Sequence, residues 1–166
     1  FYRLPDHTGP GQDVSGQGVF AQQFDAAGNA VGIEFLVNSS QSFDQRAPSL
    51  AALDDGGYVV VWESDFTAPD SSSLGVFGQR YDAGGNAVGG EFLANTFTSS
   101  SQSAPSVTGL DDGGYVVAWR SFGQDGDSWG ICGQRYDSGG AAVGGEFQIN
   151  TETAGAQDIP EVVALD

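Results

Sequence analysis

Apolar residues in this chain come in short runs, separated by breaks rich in Gly, Asp and Ser. The best run is Tyr58-Val59-Val60-Val61-Trp62, echoed by Tyr115-Val116-Val117-Ala118-Trp119. Runs of β-branched and aromatic residues bounded by turn formers predict β-strands. These two runs are continuous rather than alternating, which predicts strands covered on both faces. No long stretch repeats with the period of a helix, and Gly interrupts every window, so no helix is predicted.

The runs repeat. Gly18-Val19-Phe20-Ala21-Gln22-Gln23-Phe24-Asp25 returns as Gly75-Val76-Phe77-Gly78-Gln79-Arg80-Tyr81-Asp82, and again as Gly130-Ile131-Cys132-Gly133-Gln134-Arg135-Tyr136-Asp137. The steps from Gly18 to Gly75 and on to Gly130 are 57 and 55 residues. Glu34, Glu91 and Glu146 keep the phase, as do Pro48, Pro105 and Pro160. A period of this size is the mark of stacked supersecondary units.

Each unit reads as four strands. In the first complete unit they are expected at 49–53, 58–63, 76–81 and 91–95, with Asp/Gly hairpin turns at 54–57 and 82–86. Four antiparallel strands in tandem predict an all-β, β-propeller-like fold, in which stacked blades cover one another's faces. The expected organisation is a partial blade at 1–46, complete blades at 47–103 and 104–158, and the first strand of a next or closing blade at 159–166. Phe1-Tyr2-Arg3 reads as the end of a second strand. Three units are too few to close a ring, so further blades or self-association is expected. There is no initiator Met and no signal peptide, and the chain is expected to be a mature fragment or a piece of a longer protein.

The formal charge of -17, from 22 carboxylates against five Arg, changes the picture of partners. Phosphate backbones and anionic lipid surfaces need clustered cations, so nucleic acid and anionic membranes are excluded as partners. No run approaches the roughly 20 apolar residues of a membrane-spanning helix, and membrane insertion is not expected. Divalent cations and cationic partners remain compatible. Cys132 is the single cysteine, so no disulfide forms within the chain; it reads as a small buried strand residue.

The recurring Asp-Gly-Gly-Tyr-Val-Val-x-Trp, then Gly-Gln-Arg-Tyr-Asp, then Val-Gly-Gly-Glu-Phe and Asn-Thr, resembles tandem repeats of very large secreted bacterial proteins. Such proteins often also carry repeats-in-toxin calcium modules or cadherin-like modules. The resemblance spans nearly the whole chain. It implies a propeller-like β-structure, a secreted or cell-surface setting and adhesive use, and it implies no reaction. The first unit departs from the pattern, with Gln23 where Arg80 and Arg135 stand, and the calcium nonapeptide of the repeats-in-toxin class is absent.

Catalytic constellations are poor. His7 is the single histidine and sits in a Pro/Gly-rich stretch, where it reads as a solvated loop residue. Asp54/Asp55 and Asp111/Asp112 recur in hairpin turns, where local backbone bonding accounts for them. The Gly-rich 84–90 stretch has no Lys and no following helix, so it is no phosphate loop. Arg80 and Arg135 are expected to pair with carboxylates, either Glu91 and Glu146 or an Asp of a turn.

The loop between second and third strands differs most between units, and variable loops on a repetitive scaffold are where binding concentrates. It offers the aromatics Phe66, Phe122 and Trp129 as ligand-stacking residues. Within Gln124-Asp125-Gly126-Asp127 it also offers two carboxylates for calcium. Asp65 and Asp70 occupy the equivalent loop. Trp62 and Trp119 are expected to pack between blades. The function expected is a non-catalytic extracellular structural or adhesive module that binds a protein or glycan at a cell surface. The alternatives are a carbohydrate-binding lectin and an accessory domain of a secreted hydrolase.

Overall fold

The computed structural model describes residues 16–67, 69–70 and 73–165. Among them it contains ten strands and no helix. β1 (Phe20–Phe24) and β2 (Ala30–Leu36) form a two-stranded hairpin. β3 (Gln45–Ala52), β4 (Tyr58–Asp65), β5 (Leu74–Tyr81) and β6 (Ala87–Leu93) form an antiparallel meander in chain order. A second meander is built from β7 (Gln102–Gly109), β8 (Tyr115–Phe122), β9 (Trp129–Tyr136) and β10 (Ala142–Gln148). The fold is therefore all-β and β-propeller-like: two complete four-stranded blades, with β1–β2 as the third and fourth strands of a split one.

Local chemistry sets each unit. The turn after β3 closes because Asp55 Oδ1 accepts the Gly57 N–H at 2.8 Å; Asp112 and Gly114 repeat this at 3.0 Å. The turn after β5 closes on Asp82, whose Oδ1 accepts the N–H groups of Gly84 and Asn86. The innermost pair of each blade carries a bulge, between Arg46 and Ser49 in β3 and between Ser103 and Ser106 in β7. Pro48 and Pro105 lie there because Pro lacks the N–H that a regular ladder needs. The residue before each, Ala47 and Ala104, has φ of 49° and 51°. Gly78 in β5 allows close packing, since a Cβ there would fall 2.5 Å from the Phe92 ring.

Two apolar layers hold the blades face to face. The first joins Val19, Val37 and Phe35 of the split blade to Val60, Trp62, Phe77 and Tyr81. The second sets Leu53, Val59, Val61 and Ala94 of one complete blade against Tyr115, Val117, Trp119, Cys132 and Tyr136 of the next. Trp62 and Trp119 are fully buried in these layers, as the two-sided runs require. Burial of each fully enclosed Val contributes about 2 kcal/mol, so the β4 and β8 runs are the main source of inter-blade cohesion.

Two expectations need correction. The fourth strand starts earlier than 91: Val88-Gly89-Gly90 belongs to β6, because a bulge absorbs the glycines without ending the strand. Residues 160–165, expected as a first strand, form no ladder. Instead the Val162 and Ala164 N–H groups donate to Ser106 Oγ and Thr108 Oγ1, both at 3.2 Å. A first strand pairs with a second, and none stands beside this segment among the described residues. Of the two pairings expected for Arg80 and Arg135, the one with an Asp of a turn forms: they bind Asp55 and Asp112 of the hairpin turns. Phe1-Tyr2-Arg3, His7 and Asp166 lie outside the described residues.

Candidate functional site

The hairpin turns at 53–57 and 82–86 lie at one end of the blades. The variable loops lie at the other, together with the connections from blade to blade. A repeated polar clasp shapes that loop end. Asn38, Asn95 and Asn150 each accept, through Oδ1, the backbone N–H of Val19, Val76 and Ile131 at 2.7–2.8 Å. Each then donates through Nδ2 to a glutamine seven residues on: Gln45, Gln102 and Gln157. Asn38, Asn95, Gln45 and Gln102 are buried. Buried amides bonded at both ends give a fixed frame, because breaking them strands polar groups away from water.

On this frame the last blade presents an aromatic corner. Phe122 ends β8, Trp129 starts β9, and the two are cross-strand partners. Their rings meet edge to face, with centroids 5.2 Å apart at 74°. Arg120 lies two residues before Phe122 and so projects from the same face of β8. Its guanidinium carbon stands 4.4 Å from the Trp129 ring centroid, a cation–π contact. Arg120 is held in turn by Ser103 Oγ, which accepts from Nε at 2.8 Å, and by Asp158 Oδ1, which accepts from Nη1 at 2.5 Å. The Trp129 carbonyl accepts the Gln157 N–H at 2.7 Å. Phe122 remains 43% exposed. The corner is thus a part-open aromatic surface with a fixed cation beside it.

Phe66 does not join that corner. It is 52% exposed with φ of 45°, and its ring meets the edge of Phe43 at 5.7 Å. Sequence reasoning singled out Phe66, Phe122 and Trp129 but missed Phe43, Arg120 and Asp158. A signal existed for Arg120: it stands where the preceding unit has Glu63. Glu63 binds Arg46 at 2.8 Å and also accepts the Ala104 N–H of the next blade. The charge at this position is reversed between units, and only the arginine is set over an aromatic ring.

Asp125 and Asp127 lie in the loop joining β8 to β9, with their oxygens engaged by N–H donors. Asp125 Oδ2 accepts from Asn150 Nδ2 at 3.0 Å, and Asp127 Oδ2 accepts from the Gly155 N–H at 2.9 Å. Asp70 repeats the first contact on Asn95 at 2.8 Å and is fully buried. Asp65 forms a two-pronged pair with Arg46. A calcium ion at Asp125 and Asp127 would compete with those N–H donors. Among the described residues, no group of three or more His, Cys, Asp or Glu gathers closely enough to hold a metal ion.

No protein-family model matches the chain, and no curated protein sequence matches it. Among solved structures, an endo-arabinase from Bacteroides thetaiotaomicron is similar over 76% of this chain and 50% of its own, at 18% identity and a TM-score of 0.48. The chain spans about half the length of that protein.

Proposed function

We propose that the chain is a non-catalytic, extracellular adhesive module whose loop end binds a cell-surface glycan at the Phe122–Trp129–Arg120 corner. The observation that supports this reading is the corner itself. A part-exposed aromatic pair carries a cation fixed by Ser103 and Asp158, and it lies where the units differ most. Aromatic faces stack on the apolar faces of sugar rings, while a fixed guanidinium donates hydrogen bonds to hydroxyl or carboxylate groups. The scaffold residues are spent on packing and clasps, which leaves recognition to the loops. The test is glycan-array binding followed by calorimetry. Wild type binds a defined glycan class, Trp129→Ala weakens it at least about tenfold, and Phe66→Ala leaves it unchanged. Binding unaffected by Trp129→Ala, or an array with no ligand, refutes the reading.

A further inference from the structure

We infer that the ligand of the Phe122–Trp129–Arg120 corner is a neutral sugar presenting two adjacent hydroxyl groups, and that the corner rejects uronate and sulfated glycans; this rests on the glycan-binding reading and narrows its ligand. The pairing of Arg120 with Asp158 carries the inference. Arg120 spends Nε on Ser103 Oγ at 2.8 Å and one N–H of Nη1 on Asp158 Oδ1 at 2.5 Å. A guanidinium has five N–H donors in one plane, and the Nη2 amine of Arg120 has no acceptor among the described residues. Asp158 Oδ1 also accepts the Ile159 N–H at 3.1 Å, so Oδ2 is the oxygen left for a ligand. The Arg120 and Asp158 side chains are 28% and 47% exposed. A donor and an acceptor thus stand side by side at the rim of the corner.

Arg46, at the same end of the preceding blade, is bound differently. It gives Nε to Glu63 and both terminal amines to Asp65, so carboxylates occupy both edges of its plane. Arg120 alone of these two keeps an edge for a ligand. A hydroxyl group both donates and accepts, whereas an ionised acid group only accepts. Two neighbouring hydroxyls therefore satisfy the rim together: one accepts from Arg120 Nη2 and the other donates to Asp158 Oδ2. A carboxylate or sulfate uses the amine alone and sets its charge against Asp158, which already balances Arg120. The wider field acts in the same direction. Asp125 and Asp127 lie between Phe122 and Trp129 in the chain, and the net charge is -17, so an anion approaches against repulsion.

The apolar face of the sugar has a place as well. The Arg120 guanidinium lies over the Trp129 ring at 4.4 Å and covers that side of the indole. Phe122, 43% exposed, is the open ring for the sugar's C–H face. A following blade leaves this position open. Asp65 holds the place of Phe122 one blade earlier and keeps 23% of its side chain exposed, although a complete blade comes after it.

The experiment is an array of glucose- and galactose-terminated oligosaccharides beside their glucuronate- and galacturonate-terminated counterparts. Calorimetry follows on the best ligand, its monodeoxy analogues and its uronate counterpart, for wild type, Trp129→Ala and Asp158→Asn, with circular dichroism to verify folding. Wild type is expected to bind the neutral form at least about tenfold more tightly than the uronate, with an affinity that added NaCl does not change. Removing one hydroxyl of the bound pair is expected to weaken binding at least about tenfold. Asp158→Asn keeps the shape of the side chain and removes its charge, and is expected to narrow the neutral-over-uronate preference by about tenfold. Uronates that bind better than neutral sugars, with binding lost in Trp129→Ala, overturn this inference and leave the glycan-binding reading standing. A neutral preference that Asp158→Asn leaves unchanged, or a ligand that tolerates every single hydroxyl deletion, overturns it as well. Silence across the array, or binding that Trp129→Ala does not alter, refutes the reading itself and this inference with it.

Discussion

The residue on which most polar order depends is the clasp asparagine. Asn95 accepts the Val76 N–H and donates to Asp70, Gln102 and the Phe97 carbonyl, all at the loop end of a buried seam. Truncation leaves several buried groups without partners, each costing roughly 1–3 kcal/mol. Asn95→Ala is therefore expected to lower the unfolding free energy by about 3 kcal/mol. Asn29→Ala, in an exposed turn, is expected to change it by about 0.5 kcal/mol or less. Urea titrations of both variants measure the contrast. Asp125 and Asp127 belong to the same scale. Melting in chelator, in calcium and in NaCl of matched ionic strength tests calcium binding there. A rise beyond that in NaCl, lost in Asp127→Asn, assigns the ion to this loop; equal rises leave both carboxylates to Asn150 and Gly155.

At the scale of the element, each central hairpin begins with a stacked tyrosine pair. Tyr58 and Tyr81 lie at 4.9 Å and 14°, and Tyr115 and Tyr136 at 4.8 Å and 12°. Burial pushes the Tyr81 and Tyr115 phenols up to about 12 and raises Tyr136 as well. In the unfolded chain these phenols ionise near 10. Between 10 and about 12 the folded state thus holds more protons than the unfolded state, so stability falls as pH rises through that window and is fully present below it. Melting temperature is expected to be flat between about pH 7 and 9 and to drop steeply above 10, with Tyr81, Tyr115 and Tyr136 ionising only as the protein unfolds. Ionisation of Tyr81, Tyr115 or Tyr136 near 10 without loss of structure would contradict this.

At the scale of the whole molecule, blades stack because neither face of a single meander is polar enough to meet water. The repeat was legible in the sequence because strand formation and turn closure are local. Continuous Val/Tyr/Trp runs, Asp-Gly turns and the phase of Pro48, Pro105 and Pro160 need only neighbouring residues to act. These determined an all-β chain, four strands per unit and burial of Trp62 and Trp119. Tertiary structure alone decided how distant residues are paired. The sequence shows Glu34, Glu91 and Glu146 as a repeated letter, but the partners of Glu91 and Glu146 are set by how one blade lies on the next, about fifty residues away. It shows Asp125 and Asp127 as calcium-like oxygens, but the connection at 150–155 folds back and supplies their N–H donors. It shows Phe66, Phe122 and Trp129 as three loop aromatics. Strand register joins Phe122 to Trp129 and sets Phe66 on Phe43 instead. Local pattern fixes what each strand is, because backbone preference and burial act within a few residues; partners across blades depend on the stacking geometry, which no local window contains.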